Sequence, residues 1–297
     1  MTSYVITVIG DAEARPLEHN HVERLRQHLD AGGQDVWLAE NEACDVFFGS
    51  QLCASELTKK ARSALSGTRI DAVCMPVAGR QKKILISDMD STVIDQECID
   101  EMGDAYGVGQ QIKDITSAAV GGQMGFSETL RQRTALMKGL EQALLENVYA
   151  ERISLKPGAR TLVQTMRRHG AYCILVSGGF SFFVRRIAER LGFHDHEANE
   201  LIFKDRKLTG QVREPILGRT AKLQTLHRLC EQNNLRARDV LAVGDGANDI
   251  KMIEAAGLGV AFHGAQALRQ TANACIDYGN LETLLYVQGF RKSQFVT

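Results

Sequence analysis

Over the first 80 residues, apolar positions fall in short alternating or continuous runs separated by stretches with three- and four-residue spacing. Residues 4–9, 35–39, 44–48 and 70–75 read as strands, and 17–31 and 52–66 as helices. The order βαββαβ is the ferredoxin-like arrangement, a compact unit. A polar, glycine-containing stretch at 78–83 then reads as a linker, so the expected division is 1–79 and 80–297.

Beyond the linker the pattern changes. Apolar runs at 84–87, 172–176, 240–243, 258–261 and 274–276 are separated by long helical segments, the signature of an α/β fold with a parallel sheet and crossover helices. More than 80 residues separate the first two runs, too many for one crossover. Most of them are helix formers interrupted at Gly121, Gly122 and Gly125, which predicts an inserted helical subdomain at about 97–153. Within 201–212, Lys204-Asp205-Arg206-Lys207 divides two short strand-like runs and predicts a hairpin.

Composition removes several classes of function. With 44% hydrophobic and 24% charged residues the chain is ordinary globular material. Lys plus Arg number 35 against 36 for Asp plus Glu, so no basic field draws it to nucleic acid. No apolar run approaches the ~20 residues of a membrane helix, so no membrane partner is expected. Acidic Asp11 and Glu13 follow the first apolar run where a cleavage site would stand in a signal peptide, so the expected compartment is the cytoplasm. The seven cysteines form no C-x-x-C pair and have no histidines at zinc spacing; they read as reduced, with Cys173 and Cys275 as packing thiols.

The candidate chemistry lies at the carboxyl ends of the predicted parallel strands, where open sheets of this kind place ligands. The first run ends in Asp88-Met89-Asp90-Ser91-Thr92 and the third in Gly244-Asp245-Gly246-Ala247-Asn248-Asp249. Each alone could be a solvated turn. Facing one another, their carboxylates would repel and raise each other's pKa unless a hard cation such as Mg²⁺ neutralised them. The second run ends in Ser177-Gly178-Gly179-Phe180, a hydroxyl and unhindered backbone N–H groups before a helix, suited to phosphate.

With Lys222 between the second and third motifs, the chain from about residue 82 onward resembles the haloacid dehalogenase superfamily. Glu97 in Asp-Gln-Glu-Cys-Ile-Asp-Glu, the stretch Phe-Ser-Glu-Thr-Leu-Arg-Gln-Arg ending at Arg133, and Ile250 after Asp249 make it similar to the phosphoserine phosphatases within it. The resemblance implies a Rossmann-like core with a helical cap. It also implies an enzyme in which Asp88 attacks phosphorus to form an aspartyl phosphate and Asp90 serves as general acid, then base. Lys222, Ser177 and the Gly178 N–H would hold the phosphoryl group, with Asn248 reaching phosphate or substrate. Mg²⁺ would be bound by Asp88, the Asp90 carbonyl and Asp245, and Asp249 would support it through water or Lys222. Glu97 and Arg133 would bind the substrate's amino and carboxylate groups, with Arg131 the rival for the second role. A phosphorylated amino acid is a zwitterion carrying a dianion, so one acidic group, one bidentate basic group and a phosphate cradle suit it.

The implied reaction is hydrolysis of O-phospho-L-serine, the last step of serine biosynthesis. Transfer to another alcohol such as homoserine, or hydrolysis of another small phosphomonoester, stays open. Gly121, Gly122 and Gly125 read either as a mobile cap loop or as turn glycines. The N-terminal unit resembles ACT-type domains in topology, which implies an amino-acid effector site or a homodimer contact; Gly10-Asp11-Ala12-Glu13 is its only candidate ligand loop.

Overall fold

The computed structural model describes residues 2–11, 14–120, 124–218 and 220–297. Strand β1 (Thr2–Ile9), helix α1 (His19–Leu29), β2 (Asp35–Ala39), β3 (Ala43–Ser50), α2 (Ala54–Ala64) and β4 (Asp71–Pro76) follow the expected βαββαβ order. They build an antiparallel sheet in the order β2-β3-β1-β4, with β1 central between β3 and β4. Alternate residues take opposite faces. Tyr4, Ile6 and Val8 pack with Leu17, Leu25 and Leu57 under the two helices, while Ile9, Ala43, Val73 and Met75 join the core of the following sheet. Both faces are therefore covered, and β1 is buried without a break from Tyr4.

The polar stretch at 78–83 differs from a solvated linker. The Arg80 guanidinium is bidentate to Asp45, at 2.6 and 2.7 Å, and also donates to the carbonyls of Tyr286 and Val287. Lys82 is buried, its ammonium donating to the carbonyls of Gly79 and Arg238. The segment is polar because it supplies donors to buried acceptors.

The second sheet contains β5 (Ile84–Ser87), β6 (Tyr172–Phe180) and β7 (Asp195–Asn199). A hairpin of β8 (Leu201–Lys204) and β9 (Lys207–Val212) follows, and then β10 (Val240–Gly244), β11 (Leu258–Phe262) and β12 (Ala274–Ile276) return to the sheet. Its order is β12-β11-β10-β5-β6-β7 and its pairings are parallel, so the carboxyl ends of β5, β6 and β10 lie side by side. Two departures from the sequence reading bear on the site. β6 runs on to Phe180, carrying the Ser-Gly-Gly motif inside the strand. β7 was not expected, because Asp-His-Glu-Ala-Asn lacks an apolar run; at the sheet edge it pairs on one side only, where polar residues are tolerated.

Four helices, α3 (Cys98–Tyr106), α4 (Gly109–Val120), α5 (Phe126–Leu136) and α6 (Gln142–Arg152), fill the insertion between β5 and β6, while α7 (Ala159–Arg168) leads into β6 and α8 (Ser181–Leu191) follows it. The hairpin docks on them through Leu208, whose backbone exchanges hydrogen bonds with Gly139 and Leu140. Gly125 stands at the N-cap of α5, a turn position, whereas Gly121 and Gly122 lie outside the described residues, as do Ala12 and Glu13 of the loop after β1.

Candidate active site

The backbone of Asp88 continues the parallel ladder by donating its N–H to the Val243 carbonyl, which sets its carboxylate at the sheet's edge. One oxygen accepts the Met89 N–H at 2.7 Å. The other lies 2.6 Å from Lys222 Nζ and 3.2 Å from Asn248 Nδ2. Lys222 comes from the first turn of α9 (Ala221–Gln232) and also bonds Asp249 Oδ1 at 2.6 Å. Asp249 fits because residue 244 is glycine; a Cβ there would stand 2.3 Å from the Asp249 carboxyl carbon.

Asp245 accepts a 3.1 Å hydrogen bond from Thr92 Oγ1. One carboxylate oxygen from each of Asp88, Asp245 and Asp249 lies within 4.8 Å of the others. Burial, then the charge of Asp88, pushes the carboxyls of Asp245 and Asp249 up to about 6 and about 7. That electrostatic strain is what a hard divalent cation relieves, and an all-oxygen donor set is the kind such a cation takes. The cluster thus fits a metal.

Asp90 points elsewhere. Its Oδ1 accepts the Cys98 N–H at 2.9 Å and its Oδ2 accepts from Ser177 Oγ at 3.1 Å, while Ser177 Oγ accepts the Gly179 N–H at 2.8 Å. Burial raises the Asp90 carboxyl, the Cys98 N–H opposes this, and the neighbouring Asp88 adds to the rise. It can therefore carry a proton above the usual carboxylate range. The metal role foreseen for Asp90 was through its backbone carbonyl, and its side chain lies outside the Asp88–Asp245–Asp249 cluster.

Above these groups is a cavity of about 470 Å³, floored by Asp88, Ser177, Gly178 and Asp245 and roofed by Glu97, Met124, Phe126 and Arg133 from the inserted segment. Ser91 holds Glu97 at the rim, donating from Oγ at 2.8 Å out of a left-handed backbone conformation (φ 53°). Partial burial and then the charge of Asp90 raise the Glu97 carboxyl. Arg133 lines the cavity, and its buried Nε has no hydrogen-bond partner among the described residues. Arg131 faces outward, bound to Glu214 at 2.7 Å.

A family model for haloacid dehalogenase-like hydrolases matches residues 85–254. A phosphoserine phosphatase of Archaeoglobus fulgidus is 37% identical over 236 residues, spanning 79% of this chain and 68% of that protein. The chain belongs to the phosphoserine phosphatase branch of the haloacid dehalogenase-like hydrolases. Its fold matches a HAD family hydrolase from Salmonella enterica serovar Typhi, with a TM-score of 0.87, 26% identity and coverage of 97% of this chain and 99% of that one. A substrate-bound phosphoserine phosphatase complex superposes with a TM-score of 0.65 at 37% identity, over 69% of this chain and 98% of that one.

In this chain, Asp88, Asp90, Ser177, Gly178, Lys222, Asp245 and Asn248 meet at one sheet edge, and Glu97 and Arg133 enter from the cap. Three residues carried no role in the sequence reading: Ser91, Thr92 and Asn199, whose Nδ2 donates to the Gly178 carbonyl at 2.8 Å. The first two stood inside a motif chosen for its aspartates. Asn199 ends a strand whose polar sequence gave no signal except its place before the hairpin. Among the described residues no helix is long and apolar enough to cross a membrane.

Proposed function

We propose that the protein hydrolyses O-phospho-L-serine to L-serine and phosphate through an aspartyl phosphate on Asp88. The observation that carries this reading is one cavity with phosphate-handling groups on its floor and an opposed Glu97 and Arg133 pair in its roof. A phosphorylated amino acid matches that division, its dianion below and its ammonium and carboxylate above.

The Asp88 carboxylate attacks phosphorus in line, and the bond from phosphorus to the serine oxygen breaks. Asp90 gives that oxygen its proton. Once serine has left, the Asp90 carboxylate takes a proton from the attacking water, which frees phosphate and restores Asp88. Lys222, already ion-paired to Asp88, keeps the nucleophile's charge from repelling the dianion, and Ser177 with the Gly178 N–H orients the phosphoryl oxygens. Asp88, Asp245 and the Asp90 carbonyl would hold Mg²⁺, which when bound neutralises charge building on those oxygens. Phe126 and Met124 over the cavity limit access of further water.

We place the boundary between the N-terminal unit and the phosphatase unit after residue 79, with the cap at about 97–153. Arg80, just past that boundary, ties Asp45 of β3 to the carbonyls of Tyr286 and Val287 in the second unit. All seven cysteines are free, in line with a reducing cytoplasm.

Phosphate release from O-phospho-L-serine, set beside sugar, nucleotide and aryl phosphates with Mg²⁺ or EDTA, tests the reading. Metal-dependent preference for phosphoserine is expected. Preference for another ester would overturn the roles of Glu97 and Arg133, and loss of free phosphate on adding an alcohol would make the enzyme a transferase.

A further inference from the structure

Asn199, the last residue of β7, is buried, and both ends of its amide are engaged. Nδ2 donates to the Gly178 carbonyl at 2.8 Å and the Leu217 carbonyl at 3.3 Å, and Oδ1 accepts the Leu217 N–H at 2.7 Å. One side chain thus joins the strand end carrying Ser177 and Gly178 to the segment that leads into α9 and Lys222. We propose that Asn199 is a positioning residue for phosphoryl transfer, fixing the phosphate cradle and the Lys222 helix relative to each other. This rests on the roles given above to Ser177, Gly178 and Lys222.

The Gly178 carbonyl and the Gly179 N–H belong to one planar peptide unit. Two successive glycines set few limits on that plane by themselves. Asn199 pins the carbonyl at one edge, and at the other edge the N–H meets Ser177 Oγ at 2.8 Å. With one lone pair of Ser177 Oγ engaged, its proton is directed to Asp90 Oδ2, 3.1 Å away. Asn199 therefore acts on the proton donor through two intermediates.

Its second contact acts on the other side of the phosphate. Residues 213–218 form no helix or strand, and the paired bonds from Asn199 to Leu217 stand in for a ladder. Gly218 follows directly, and its carbonyl accepts the Ala221 N–H that opens the first turn of α9, where Lys222 is the second residue. A shift at Leu217 is thus passed to the ammonium between Asp88 and Asp249. A purely architectural asparagine would lower stability when removed without altering turnover by the molecules that remain folded.

The test compares wild type with Asn199→Ala and Asn199→Asp, measuring kcat and KM on O-phospho-L-serine and on an aryl phosphate, with thermal unfolding to define the folded fraction. The aspartate variant matches asparagine in shape but, when ionised, has no donor for the two carbonyls, and it serves if the alanine variant does not fold. For folded variants kcat should drop about 10- to 100-fold on both substrates, the scale expected of a misplacement of about 1 Å. KM for phosphoserine should move by less than about threefold, because Glu97 and Arg133 do not touch Asn199 and the uniform binding they supply is kept. A folded variant with kcat within about twofold of wild type, or a loss confined to KM, overturns the proposal. Wild type that ignores phosphoserine yet cleaves the aryl ester would refute the substrate assignment alone, and Asn199 would then be judged on the aryl ester by the same criteria.

Discussion

Lys222 Nζ lies 2.6 Å from Asp88 Oδ2, with only 5% and 6% of the two side chains exposed. Burial by itself would favour the neutral amine, but Asp249 and Asp88 outweigh it and hold the ammonium. Lys222→Ala should lower kcat by about 10²- to 10³-fold, the range for deleting one preorganised electrostatic group. It should also destabilise the fold by about 3–5 kcal/mol, because two buried carboxylates lose their partner. Phosphate-release kinetics and urea unfolding check the two effects separately.

Arg133 and Arg131 lie on one helix and face different surroundings. Arg133→Ala should reduce kcat/KM for phosphoserine by about 10- to 100-fold, from a lost charged hydrogen bond of about 1.5–3 kcal/mol, and leave an aryl phosphate nearly untouched. Arg131→Ala, which removes an exposed pair with Glu214, should change either substrate by less than about threefold. Steady-state kinetics of both variants on both substrates decide the assignment; equal losses on the two substrates for Arg133→Ala would contradict it.

The pair formed by Arg80 and Asp45 fastens β3 to the connecting stretch, where only 10% and 2% of the side chains are exposed. Asp45→Ala leaves a buried guanidinium uncompensated, so a loss of about 3–5 kcal/mol is expected in denaturant unfolding. Residual folded enzyme should keep its kcat, because the pair does not reach the cavity.

In EDTA the folded state holds protons on Asp245 and Asp249 up to about 6 and about 7, above the range in which the unfolded chain releases them. The folded state then binds more protons than the unfolded state, so these two groups make stability fall as pH rises from about 4 to 7. A divalent cation must displace those protons. The rise in Tm on adding Mg²⁺ should therefore be small near pH 5 and grow toward pH 8; scanning calorimetry with and without the cation would show a flat difference if the cluster does not bind metal.

Much of this is legible in the amino-acid sequence itself. The ferredoxin-like order and the strands beginning at Ile84, Tyr172, Val240, Leu258 and Ala274 follow from apolar periodicity, because buried strands must be apolar. The aspartate motifs were visible because polar residues directly after buried strands stand out. What stayed hidden was polar for a different reason. Arg80 and Lys82 look like solvated linker residues until their acceptors, distant in sequence, are seen. The same holds for β7, whose edge position tolerates Asp195, His196 and Glu197 and so erases the pattern that marks a strand. Asn199 acts on the backbone of Gly178 and Leu217, and a contact to backbone leaves no motif.

Covalent catalysis by Asp88 is tested by acid quenching of the enzyme during turnover of O-phospho-L-serine labelled at phosphorus, followed by peptide mapping. Label is expected on the peptide containing Asp88, discharged by hydroxylamine as an acyl phosphate should be, with no label in Asp88→Asn. Sustained turnover with no label at Asp88, or turnover by the Asp88→Asn variant at the wild-type rate, would contradict it.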